Sequence, residues 1–434
     1  MQDNLTIFDC LYSKYKITKP IRLIEFFGGY GSQALALKYL GVEFEHWKLV
    51  EWAIKSIQAY KDIHFENESA ILVGLDKEQE VERLYKQGIS SNYNEPMTKQ
   101  QIQRLSLEQI YRITENNLIT HNLVNIQNVK GKDLEIVDTD KYDYILTYSF
   151  PCQDLSLAGK GKGMSDTSTR SGMLWEVERI LTECYELGSL PQILLMENVP
   201  QVHGADNLQD FNKWQLRLEE LGYKNYMQDL IATDYGIPQT RNRCFMVSIL
   251  GDYSYTFPKP IPLKLRLKDM LEEEVDKKYY LSNKQLESLE SGSYNASKPS
   301  VKLEITDKGL CQTLDTMSGG NRQPLVRVGN KSLRETLEKN KIYDTCYIDT
   351  YNKRIDKEKS GTITTGVSFR NNTFLADKNL KIRKLTPKEC FRLMGVKDED
   401  YEKVAKNQSD SSLYHLAGDS IVVNVLMAIF KEMM

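Results

Sequence analysis

The chain has 434 residues, with 57 Lys and Arg against 60 Asp and Glu and a net charge of −3, so it is long enough for two or three domains and carries no overall cationic excess for coating nucleic acid. No apolar run reads as long enough to cross a bilayer, and Met1-Gln2-Asp3-Asn4 lacks the basic and apolar regions of a secretion signal, which predicts a cytoplasmic protein with no membrane attachment. Seven cysteines stand far apart, at 10, 152, 184, 244, 311, 346 and 390, without a Cys-x-x-Cys pair, so neither a disulfide framework nor a metal site is predicted.

In chain order, Ile21 to Phe27 predicts a buried strand, followed by a glycine loop and a helix from Ser32 to Leu40 that Gly41 closes. Trp47 to Glu51 predicts the second strand. Residues 61–128 break the rhythm with polar, helix-favouring sequence and read as an insertion. Strand patterns resume at 142–150, 192–196 and 244–249, an alternation that predicts an α/β fold with a parallel sheet and crossover helices. From Pro258 short β-like pieces and turn signals take over, which predicts a smaller, irregular domain. Residues 258–381 hold 23 Lys and Arg against 17 Asp and Glu, a mild basic bias. Helical sequence returns near 383, where Thr386-Pro387 with Glu389 predicts a capping box. The expected organisation is 1–257, with the insertion, then 258–382, then a return to the first domain over 383–434.

Phe27-Gly28-Gly29-Tyr30-Gly31-Ser32 lies between the first strand and the first helix, and Glu51 closes the next strand about twenty residues later. Glycines admit a ligand to the backbone, a helix start offers free amides, and a carboxylate at that spacing suits two ribose hydroxyls. Both a nicotinamide dinucleotide and S-adenosyl-L-methionine fit this pattern; the bland alternative is a tight turn beside an exposed Glu. Three more strand ends carry unusual polar groups. Cys152 follows Phe150-Pro151, Glu197-Asn198-Val199 follows Leu194-Leu195-Met196, and Gln239-Thr240-Arg241-Asn242-Arg243 precedes Cys244-Phe245-Met246. Singly, each has a structural explanation: a buried thiol, a helix-capping acid, surface arginines. Together they predict a thiol, a carboxyl and two guanidinium groups converging on one crevice, as an activated nucleophile requires.

In these residues the chain resembles the C5-cytosine DNA methyltransferases. The matching blocks run in order: Phe27 to Ser32, Glu51-Trp52, Asp133-Leu134, Phe150 to Ser156, Arg170 to Leu174, Glu197-Asn198-Val199, Gln239 to Arg243, Arg383 to Thr386, and Gly418-Asp419-Ser420-Ile421. The resemblance implies a Rossmann-like, S-adenosyl-L-methionine-dependent domain with a smaller target-recognition domain. It makes Cys152 the nucleophile at C6 of cytosine, Glu197 the partner of N3 and the exocyclic amine, and Arg243, with Arg241, the holder of the base carbonyl. Phe27, Gly29, Gly31, Glu51, Trp52, Asp133, Leu134 and Leu174 line the implied cofactor site. The implied substrate is double-stranded DNA with the target base rotated out. A monomer is expected, with any companion restriction endonuclease acting separately. Ser32 and Asp419 replace the family's usual glycine and asparagine, and Ser171 is an extra residue between Arg170 and Gly172. An RNA (tRNA) cytosine-5 methyltransferase and a catalytically silent DNA-binding homologue are the alternatives weighed against this reading.

Overall fold

The computed structural model describes residues 13–72, 74–150, 172–280 and 385–434, together with the backbone of short strands between 301 and 384. Six strands form the central sheet: β1 (Ile21–Phe26), β2 (Phe44–Val50), β3 (Asp143–Tyr148), β4 (Ile193–Asn198), β5 (Tyr223–Ile231) and β6 (Asn242–Leu250). Their order is β2-β1-β3-β4-β6-β5. β1 to β4 run parallel, whereas β6 is antiparallel to both β4 and β5.

The strands read as apolar runs because both faces of the sheet are covered. Ile193 and Leu195 of β4 point into one core with Leu23, Ile145 and Val247, while Leu194 and Met196 point into the other with Ile24, Leu146 and Met246. The first core is closed by α1 (Ser32–Leu40) and by the C-terminal helices, and the second by α5 (Met173–Glu186) and α6 (Leu208–Glu220). β5, at the sheet edge, is half-exposed over most of its length.

After β2 the chain forms α2 (Ile54–His64), whose Ala59 and Ile63 belong to the first core. Residue 61 therefore lies inside a helix of the main body, and the expected insertion starts only after His64. The insertion contains α3 (Lys77–Gln87) and α4 (Leu107–Ile119), with a core of its own from Val81 to Val124 that packs on Trp52 and Ile54. Ile126 and Val129 rejoin the second main core.

Leu267 and Met270 are buried in the first core beside Cys390 and Phe391, so the body around the central sheet extends past residue 257. The C-terminal segment adds α7 (Pro387–Leu393), α8 (Asp398–Ala405), α9 (Asp410–Gly418) and α10 (Val423–Lys431). The capping box is present: the Thr386 amide donates to Glu389 at 2.8 Å and the Glu389 amide donates to Thr386 Oγ1 at 3.2 Å. Contrary to expectation, one stretch, Asp410–Lys431, is apolar and long enough to pass for a membrane span. It is two helices, α9 and α10, and 72% of its apolar window is buried in protein, as suits a core element. Between 346 and 384 a separate antiparallel sheet, β8-β7-β9-β10, comprises β7 (Cys346–Asp349), β8 (Arg354–Asp356), β9 (Thr373–Ala376) and β10 (Ile382–Lys384).

Candidate active site

The glycine loop leaves β1 through a left-handed Phe27 (φ 56°) and reaches α1 through Gly31 (φ 83°). A Cβ on Gly31 would collide with His64 and Tyr60, so this position needs glycine for space as well as for φ. Gly29 also has positive φ, yet no atom lies within 4 Å of where its Cβ would be; its backbone faces open space. That open cradle is the geometry a backbone-contacting ligand needs. Glu51 pins the loop from below. Its carboxylate accepts from Gly29 N–H at 3.0 Å and Ala53 N–H at 2.8 Å, while Asn122 brackets its backbone with bonds of 3.0 and 2.9 Å. Only 9% exposed, Glu51 is pushed up to about 7 by burial, with the charge of Asp419 acting in the same direction.

Beneath the loop a second buried acid escaped the sequence reading. Glu25 accepts from Ala34 N–H at 3.3 Å and Tyr60 O–H at 2.5 Å, and burial raises it to about 7. Its place in an apolar strand is the only signal the sequence offers for it.

The second half of the site forms where β4 meets β6. In a parallel sheet the residues preceding a strand would sit at the opposite edge from Glu197; because β6 runs backwards, Asn198 faces Cys244 and Glu197 faces Phe245. Arg243, at the start of β6, thereby meets Glu197 at the end of β4, with Nε 3.2 Å from Oε1 and both side chains nearly buried. Burial raises the Glu197 carboxyl above its ordinary range, against the lowering pull of Arg243 and Arg241; Asp419 adds a smaller upward push. Arg241 is turned elsewhere: its Nη2 donates to the carbonyls of Gly418 at 3.2 Å and Ser420 at 2.8 Å, clamping the C-terminal segment to the site. Gln239 does likewise, donating to the Leu393 carbonyl at 2.7 Å.

Cys152 and Arg170 lie outside the described residues. The approach to Cys152 is nonetheless visible. Asn198 Nδ2 donates to the Phe150 carbonyl at 3.0 Å, which fixes the residue before Pro151 against the end of β4. Asn198 is a site residue the sequence reading quoted without giving it a role.

The remaining cofactor candidates are distributed unequally. Leu134 and Leu174 are fully buried, in one apolar cluster with Phe26 and Val50 under the strand ends. Asp133 accepts from Lys130 N–H at 2.9 Å within a short 3-10 turn, and Trp52 is half-buried against the insertion's core. Among the described residues His203, Asp229 and Cys244 bring three ligand types together, but His203 and Asp229 pair at 3.0 Å and burial keeps Cys244 a neutral thiol.

A family model for the C-5 cytosine-specific DNA methylases matches residues 87–434. The chain belongs to that family. It is a DNA cytosine-5 methyltransferase by membership, as its motifs implied. Among curated proteins it is similar to the type II methyltransferase M2.ScrFI of Lactococcus lactis subsp. cremoris, with 31% identity covering 95% of this chain and 99% of the relative. It is also similar to the orphan methyltransferase M.SssI of Spiroplasma monobiae, with 30% identity covering 96% of this chain and 97% of the relative. Among solved structures a mutant of Spodoptera frugiperda DNMT2 shares the fold, with a TM-score of 0.55 at 17% identity, covering 95% of this chain and 99% of that one.

Proposed function

We propose that this cytosine-5 methyltransferase uses Cys152, Glu197, Arg241 and Arg243 on a cytosine rotated out of a specific duplex sequence. The observation that carries the reading is the Glu197–Arg243 pair at the same sheet edge as the Glu51-held glycine loop, with Asn198 tethering the approach to Cys152. Rotating the base out costs a few kcal/mol, which contacts across the cleft offset.

The Cys152 thiolate adds to C6, turning the ring into an enamine with a nucleophilic C5. Glu197, whose carboxyl burial shifts towards the neutral acid, donates to N3 and accepts from the exocyclic amine, so charge entering the ring is met where it develops. Arg243 holds the base carbonyl, while its charge and that of Arg241 favour thiolate over thiol. Once C5 carries the methyl group, its proton passes to water and the electron pair left behind expels the sulfur, regenerating the Cys152 thiolate.

S-adenosyl-L-methionine supplies the methyl group. The open backbone at Gly29, with Phe27 and Gly31, fits its methionine part and the carboxylate of Glu51 its ribose, with Trp52 and Asp133 at the adenine and Leu134 and Leu174 beside it. Residues 258–382, with their basic bias, make the DNA contacts; phosphate contacts position the duplex and a few side chains read base edges. The enzyme works as a cytoplasmic monomer, apart from any companion endonuclease.

The test is a mechanism-based trap. Duplex DNA containing 5-fluorocytosine, incubated with cofactor and enzyme, is expected to yield a covalent adduct that Cys152→Ser abolishes. An adduct that persists in Cys152→Ser overturns the assignment.

A further inference from the structure

The insertion after His64 has no part in the chemistry above, yet it delivers one aromatic side chain to the cofactor side of the molecule. Its loop is anchored two residues from Glu51: Ser90 N–H donates to the Trp52 carbonyl at 2.7 Å, and Ile54 N–H donates to the Ser90 carbonyl at 2.9 Å. Ser90 Oγ and Asn92 then tie the turn to Glu95, with bonds of 2.7 Å to its carbonyl and 3.2 Å from its amide. At the tip sits Tyr93, held at φ 64°, a left-handed conformation that a bulky residue adopts only when its surroundings impose it. Those surroundings are the other end of the chain. The Tyr93 ring lies over His415 of α9, with centroids 3.7 Å apart and planes at 37°, and its hydroxyl is turned towards Ser56 and Ser412. Glu51 and Asp419 are both close enough to act on it electrostatically.

We infer that Tyr93 and His415 form an aromatic clasp that closes the ribose side of the cofactor pocket, so that the insertion serves to retain cofactor. The inference rests on the reading of Glu51 as the ribose-binding residue. It follows from placement. The insertion is fixed to Trp52 and Ile54, α9 is fixed at its far end by Arg241 through Gly418, and the Tyr93–His415 contact bridges them beside the carboxylate that holds the glycine loop. An aromatic face in that position excludes water from the hydroxyls that Glu51 would accept from, and slows departure of both the methyl donor and its demethylated product.

Calorimetric titration of S-adenosyl-L-methionine and S-adenosyl-L-homocysteine into the full chain tests the clasp, alongside KM for duplex DNA. Tyr93→Ala and Tyr93→Gly are expected to weaken both ligands about fivefold to tenfold, the worth of one aromatic contact, with KM for DNA unchanged. Tyr93→Gly accepts φ 64° without strain and so guards against misfolding. Tyr93→Phe keeps the ring and is expected to bind as the parent does, and combining Tyr93→Ala with His415→Ala is expected to cost less than the sum of the two. Glu51→Ala serves as the reference. If it weakens binding while the Tyr93 variants bind within twofold of the parent, the clasp is overturned; if it too leaves binding unchanged, the cofactor reading itself fails.

Discussion

Asn198 donates its side-chain amide to the carbonyl of Phe150 at 3.0 Å, and Phe150 immediately precedes Pro151 and Cys152. One buried amide thus joins the strand that carries Glu197 to the peptide that leads to the sulfur. Its own Oδ1 accepts from Val199 N–H at 2.8 Å, so the amide plane is fixed from both sides. Phe150, two residues before the proposed nucleophile, is thus held by a bond that Glu197 does not make.

Asn198→Ala is expected to lower kcat about tenfold to a hundredfold while leaving cofactor affinity unchanged, because a shift of about 1 Å at a reacting group costs about that much. Single-turnover rates and calorimetry separate the two. Stability should fall by about 1–3 kcal/mol, since the Phe150 carbonyl loses its donor in a buried setting.

The pH dependence of the chemical step should respond to Asp419, whose charge raises Glu197. If protonated Glu197 is the active form, rate falls as pH climbs through its pKa. Asp419→Asn removes an upward push, so the alkaline limb of the kcat profile moves to lower pH. Arg243→Gln removes a downward pull and moves the same limb to higher pH, on a much smaller kcat.

Glu25 and Glu51 make folding stability pH-dependent. Both have an ordinary value of 4.5 and sit near 7 in the folded protein, because burial favours the neutral acid. Below 4.5 neither state is ionised and the acids cost nothing. As pH rises towards 7 the unfolded chain ionises first, so stability falls across this window, by on the order of 2–3 kcal/mol per group. Urea unfolding of Glu25→Gln between pH 5 and 8 should show a flatter decline than the parent.

Arg241→Met is expected to cost about 2–4 kcal/mol, measured by denaturant unfolding, because the carbonyls of Gly418 and Ser420 lose a buried cationic donor. Arg243→Met, which removes a cation from the Glu197 carboxylate rather than a donor from the C-terminal segment, should cost less stability and more activity.

Much of this arrangement is legible in the residues. The apolar runs of β1, β3, β4 and β6 are unmistakable because a sheet covered on both faces demands them, and the polar groups at their ends stand out for the same reason. β5 was missed: at the sheet edge, Tyr223–Ile231 alternates too weakly and carries Lys224, Gln228 and Asp229. The direction of β6 is equally silent, since Asn242–Leu250 reads the same whichever way it runs. Only pairing reveals that Arg243, at the beginning of its strand, lies at the carboxyl edge of the parallel strands. Trp52 shows the limit of local reading. Next to Glu51 it suggests an adenine stack, but long-range packing places much of it against the insertion's helices.

The stacking of Tyr30 in the glycine loop on Phe391 of α7, at 5.3 Å, has a consequence for biosynthesis. The loop presented by the first strand is completed by helices translated some 360 residues later, and Gln239 and Arg241 wait for the same helices. A nascent chain can assemble its sheet early but holds a glycine loop without its packing partners until the ribosome has delivered residues 385–434.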